Sequence, residues 1–270
     1  MIELSALLER DAQIHGIVEE VMPMAIEFGH GPPIPKTVNV FLSFIASTEF
    51  IKNGIFDLVE AENIWATKIL FRSLIEHFFR FQYIFFRACE EKGDGVAEDY
   101  LKFSSFKEGL LIGKSWKRVA KILGQDSPLT PYEALKDLIP DIGSYSRREI
   151  DKRASQFDFA NVLEHICGKL RLPTENGSVP FPLTMIPEYS DLSSFVHGAP
   201  AAIQIMNSMQ DEGKLAAELI HTAELAFQAA GSVKVFSLLV FFQHDKRFGP
   251  AYSKITKLVE LNVSRCHSTL

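Results

Sequence analysis

Cysteine is scarce in this chain: Cys89, Cys167 and Cys266 are the only three in 270 residues. They are far apart, odd in number and form no CxxC pair, which argues against a disulfide scaffold and fits a reduced, cytoplasmic setting. Alternating apolar and polar runs bounded by hairpin turns are nearly absent, so a β-fold is not expected. Positive charge is not in excess either. With 28 Lys and Arg against 34 Asp and Glu the formal net charge is -6, which disfavours a protein that coats nucleic acid electrostatically and leaves room only for a local basic patch.

Long hydrophobic runs are also missing. The most apolar stretch, VKVFSLLVFF at 233–242, is about half of the roughly 20 residues a spanning helix needs. Extension towards the N-terminus meets Lys234, Gly231 and Gln228, so a buried helix and no membrane partner are expected. The opening MIELSALLERDAQIHGIVEE carries acids early and no apolar core with basic flanks, so no signal peptide is expected. HExxH, GxSxG and a Gly-rich phosphate loop do not occur, which sets aside zincin, α/β-hydrolase and P-loop chemistry. Glu218 and His221 form the one helical ExxH pair, whereas a di-iron bundle needs two. Neither a cofactor nor a metal is expected.

What the sequence does have is helical periodicity and 22 Phe in a chain that is 47% hydrophobic, enough for a sizeable core. Apolar spacing predicts helices over 2–22 with a stop at Pro23, 36–59, 62–91, 96–123 and 159–170. Further helices are predicted over about 188–197, 201–208, 212–243 and 250–262. The segment 171–187 holds four prolines and reads as an extended crossing loop. Residues 125–158 are polar and punctuated, suggesting short helices and turns rather than a second core. The fold class expected is all-α: a single large helical bundle over 1–270 with 125–158 as an insertion-like centre.

Two stretches concentrate polar chemistry. On the helix over 62–91, an advance of about 100° per residue places Lys68, Arg72, Glu76, Arg80, Tyr83 and Arg87 in one stripe. That stripe is either a solvated face with an i, i+4 ladder or, since Trp65 and Ile69 share it, a covered Arg/Glu cluster. In EYSDLSSFVHGAP, at 188–200, Tyr189, Ser193 and His197 follow one another four residues apart. Either they form a polar edge on which Tyr189 or Ser193 orients His197, or His197 is an ordinary last-turn residue before the helix stop at Gly198.

FRSLIEHFFRFQYIFF followed by YSDLSSFVHG resembles an uncharacterised bacterial helical family carrying Arg-x-x-x-Glu and Tyr-x-x-Leu-Ser-x-x-x-His motifs, matched here by Arg72, Glu76, Tyr189, Leu192, Ser193 and His197. The resemblance implies one shared polar site and a place in bacterial defence or stress response. RDAQIH and RSLIEH, from Arg10 to His15 and from Arg72 to His77, are more distantly similar to the HEPN superfamily, helical and often homodimeric metal-independent ribonucleases. Two functions follow as expectations. In the first, a binding or sensor protein holds an anionic small ligand with Arg72, Arg80, Tyr189, Ser193 and His197, and Glu76 orients the arginine. In the second, a homo-oligomeric enzyme cuts RNA, with His197, His77 or His15 as base and Arg72 or Arg10 stabilising charge. Arg72, Glu76, Tyr189, Ser193 and His197 are expected to converge in space.

Overall fold

The computed structural model describes residues 4–31, 33–125, 129–170, 180–209 and 211–266, and among them no strand occurs. The described residues form twelve α-helices: α1 (Leu4–Phe28), α2 (Pro35–Glu60), α3 (Ile64–Glu91), α4 (Gly95–Asp99), α5 (Ser105–Ile122), α6 (Pro131–Leu138), α7 (Arg147–Ser155), α8 (Phe159–Lys169), α9 (Phe181–His197), α10 (Pro200–Ser208), α11 (Glu212–His244) and α12 (Gly249–Cys266). The all-α expectation holds. A π-helical turn, Tyr100–Ser104, joins α4 to α5.

α3 runs through the middle, against α2 and α11 on one side and α8 and α9 on the other. Its start is fixed by Asn63, whose side chain accepts a hydrogen bond from the Ala66 N–H at 3.2 Å. Buried on it are Phe71, Leu74, Phe78, Phe79, Phe81 and Phe85. The rings form a connected lattice: Phe81 lies 5.0 Å from Phe41, 5.8 Å from Phe44 and 6.3 Å from Phe85, between ring centroids. These phenylalanines thus fill the core.

α2 has no cap of its own. Ile34 precedes it and offers no side-chain acceptor. Its exposed N–H groups are taken by Asp94 from the loop after α3: the Lys36 and Thr37 amides donate to the two carboxylate oxygens at 3.0 and 2.8 Å. A carboxylate at a helix N-terminus also meets the positive end of the dipole. Asp94→Ala should therefore cost about 1 kcal/mol, and Asp94→Asn less, as read by chemical denaturation.

Three local expectations need correction. α1 continues through Pro23 to Phe28; proline removes one helical hydrogen bond, while Ala25 is buried in the core and Met22, Met24 and Phe28 pack against it on both sides of the proline. α9 begins at Phe181 and contains Pro187, so 181–187 is helical rather than extended, and the rest of the supposed crossing loop, 171–179, lies outside the described residues. The centre of the chain does have a core. Phe103, Phe106, Leu110, Ile142, Ile150 and Ala154 form a buried cluster separate from the main one. Its apolar side chains are dispersed among charges along the sequence and meet only when α5, α6 and α7 pack.

α11 is, among the described residues, the one helix long and apolar enough to cross a membrane; 72% of its most apolar window is buried inside the bundle.

Candidate functional site

The polar stripe of α3 is covered. α8 and α9 pack over it, and Arg72, Glu76 and Arg80 retain only 21%, 24% and 31% of their side-chain exposure. The solvated-face reading therefore gives way to a sheltered cluster. The helical spacing puts Arg72 and Glu76 one turn apart, with Arg72 Nη2 3.0 Å from Glu76 Oε1. From α9, Tyr189 closes the triangle: Arg72 Nη2 donates to its hydroxyl at 2.9 Å, and that hydroxyl donates to Glu76 Oε1 at 3.0 Å.

Aromatic packing holds this triangle. The Tyr189 ring stacks on Phe159 of α8 at 4.0 Å between centroids, and the Arg72 guanidinium lies over the phenol ring, 5.0 Å from its centroid. Burial pushes the Tyr189 pKa up, and the Glu76 carboxylate pushes it further, against the opposing pull of Arg72. The phenol therefore stays protonated and serves as a donor, not as a base. Arg80 adds a second cation, its Nη2 4.0 Å from Glu76 Oε2 and its Nε donating to the Phe157 carbonyl at 3.5 Å.

Further along the stripe the bonding continues. Arg87 Nη1 donates to the Tyr83 hydroxyl at 2.7 Å, which donates to Gln156 Oε1 at 3.2 Å. Lys68, at the other end, is buried and bonded to Glu218 and Thr222 of α11.

Ser193 and His197 are not hydrogen-bonded or ion-paired to this set among the described residues. His197 is exposed at the last residue of α9, about 12 Å along the helix from Tyr189 at 1.5 Å per residue. Gly198 ends the helix with φ of 61°, the left-handed stop its sequence suggested. Ser193 and His197 form no hydrogen bond with each other among the described residues. His77 also stands apart from Arg72: its Nδ1 lies 2.8 Å from the Ser73 carbonyl of its own helix and its ring faces Phe44 of α2. His15 is exposed beside Glu19. Glu218 of the ExxH pair is engaged by Lys68, and His221 is exposed. Among the described residues, no group of three or more His, Cys, Asp or Glu is placed to hold a metal ion.

A second charged cluster escaped the sequence reading. Lys52 and Lys234, 0% and 1% exposed, share Glu49. Lys52 Nζ donates to Glu49 Oε1 at 2.9 Å and Lys234 Nζ to Oε2 at 2.6 Å, while Asp11 of α1 also pairs with Lys52. The signal was there: Lys234 interrupts the most apolar run in the chain, where a lysine survives only if a carboxylate meets it.

Fold and site together define an all-helical protein with a sheltered, cation-rich arginine–glutamate–tyrosine cluster at the junction of three helices. The chain belongs to a family of unknown function (DUF5677), whose model matches residues 39–214. That span contains Arg72, Glu76, Arg80 and Tyr189. No curated protein and no solved structure matches the chain.

Proposed function

We propose that this chain is a helical binding module that holds a small anionic ligand at the Arg72–Glu76–Tyr189 cluster with Arg80. The observation that carries the reading is the unfinished bonding of Arg72. Its Nη2 is anchored by Tyr189 and Glu76, but among the described residues its buried Nε has no acceptor and no bond engages Nη1. A buried donor without an acceptor is costly, and an oxyanion is the acceptor whose geometry suits a guanidinium. The charges agree, because two arginines face one carboxylate and leave a cation in excess. Glu76 and the stacked Tyr189 fix the guanidinium before a ligand arrives, which limits the ordering cost of binding.

Calorimetric titration of the purified chain with inorganic phosphate, sulfate and nucleoside phosphates tests the reading. Saturable binding is expected for at least one of them. Arg72→Gln should weaken it by about ten- to hundred-fold, the worth of a charged hydrogen bond, and Arg80→Gln by less. Absence of saturable binding across the panel would sink the reading. Cleavage of RNA without metal, abolished in Arg72→Gln, would replace binding by catalysis.

A further inference from the structure

The exposed half of α5 carries an amphipathic pattern of its own. With about 100° per residue and Leu111 taken as origin, Leu111, Ile112, Trp116, Val119, Ile122 and Leu123 fall in an arc of about 140°. Lys114, Lys117, Arg118 and Lys121 fall in a separate arc of about 100° beside it. The helix is held to the protein along the side away from the apolar arc, which overlaps the near edge of the basic one: Phe106 and Leu110 are buried, and Gly109 and Gly113 approach α6 so closely that a Cβ would stand 3.3 Å from Leu135 and 3.0 Å from Pro131. The apolar arc therefore points outwards. Ile112 is 58% exposed, Trp116 69%, Ile122 78% and Leu123 65%, an exposed apolar face, broken only by Ser115 within this arc, of the kind that marks an interaction surface.

We propose that this face docks on the surface of a bilayer containing anionic lipid. Charge complementarity selects the occupant. Residues 109–125 contain four basic side chains and no Asp or Glu, so this part of the helix is locally cationic in a chain whose net charge is -6. Lys117 donates to the Leu129 carbonyl, and Lys114, Arg118 and Lys121 have no acidic partner among the described residues. A second copy of this chain seated face to face would bring two such cationic borders together. A lipid surface instead accepts Trp and aliphatic side chains at the headgroup boundary while lysines and arginine reach the phosphates. The helix lies on the bilayer; it does not cross it.

The test uses the full chain with Trp65→Phe, so that Trp116 is the remaining tryptophan. Vesicles of phosphatidylcholine alone and of phosphatidylcholine mixed with phosphatidylserine are compared by co-sedimentation and by Trp116 emission. Association with a blue shift is expected on the mixed vesicles and should fall away as salt is raised. Lys114→Gln with Lys121→Gln should lower partitioning by roughly thirty-fold, and Trp116→Ser, assayed by sedimentation, by about ten-fold. These side chains are exposed, so circular dichroism and melting should be unchanged. Failure to sediment with anionic vesicles at low salt would overturn the proposal. So would a dimer in solution that Trp116→Ser converts to monomer, since a second copy would then cover the face.

Discussion

Glu49→Gln destabilises the protein by about 3–5 kcal/mol, the cost of breaking a buried ion pair from one side. The melting temperature should fall by on the order of 10 °C. The size of the effect follows from geometry. Both carboxylate oxygens are occupied, one by Lys52 and one by Lys234, and neither ammonium reaches water. Lys52 keeps Asp11 in the variant; Lys234, whose ion pair among the described residues is with Glu49, is left without one. Burial, and then the neighbouring Lys52, already pull the Lys234 pKa down, so removal of Glu49 pushes it further in that direction.

The pH dependence has a definite sign. Burial alone would raise the Glu49 pKa, but Lys234 and Lys52 more than reverse that and set it below the ordinary carboxylate value. Its contribution is therefore complete above the unfolded pKa and is lost as pH falls through the folded one. In melting curves across acid pH the wild type should lose stability over that window, and Glu49→Gln should show a flatter acid limb. Lys234 behaves oppositely in charge but alike in slope: between its depressed folded pKa and the ordinary lysine value the unfolded chain binds more protons, so stability rises with pH there. A double variant, Glu49→Gln with Lys234→Met, should recover much of the loss, because no uncompensated cation remains. If the single variant melts with the wild type, the cluster carries no such weight.

Phe81→Ala is the second large effect, about 3–5 kcal/mol. Phe81 is fully buried at the meeting point of α2 and α3, with Phe41, Phe44 and Phe85 around it. Truncation removes the ring contacts and leaves a cavity that three rigid rings on helical backbones cannot close. Denaturant unfolding should show a lower midpoint with an unchanged slope, and Phe81→Leu should lose less because most of the volume stays. Equal losses for Ala and Leu would show that the core collapses around the site.

The fold was largely legible because most helices are long and their apolar faces regular. α3 is the clearest case, an uninterrupted periodic stretch with its ends marked by Asn63 and the Lys92–Asp94 turn. Arg72 and Glu76 could be paired from spacing alone. Their meeting with Tyr189, 117 residues later in the case of Arg72, depends on the packing of α9 over α3, and no periodicity encodes it. Proline misled twice, at Pro23 and Pro187, since a proline's local cost can be offset by packing of the turns around it. The small core was hidden because Tyr132, Leu135, Ile139, Ile142, Tyr145 and Ile150 are interleaved with charges. Buried lysines were missed because lysine is by default a surface residue. His197 illustrates the converse: spacing placed it on Tyr189's edge, and its position at the exposed end of α9 holds it away from the triangle.

The π-helical turn at Tyr100–Ser104 gives one continuous helical segment two allegiances. Val96 and Ala97 before it bury in the main core, whereas Phe103 and Phe106 bury in the small one. The wider turn adds about one residue to the ordinary 3.6, and so swings everything downstream by about 100°. In this stretch, losing a single residue is not a shortening but a quarter-rotation of the arm beyond it. The small core and the tryptophan-bearing side of α5 would then point to different quarters of the molecule together, as a unit.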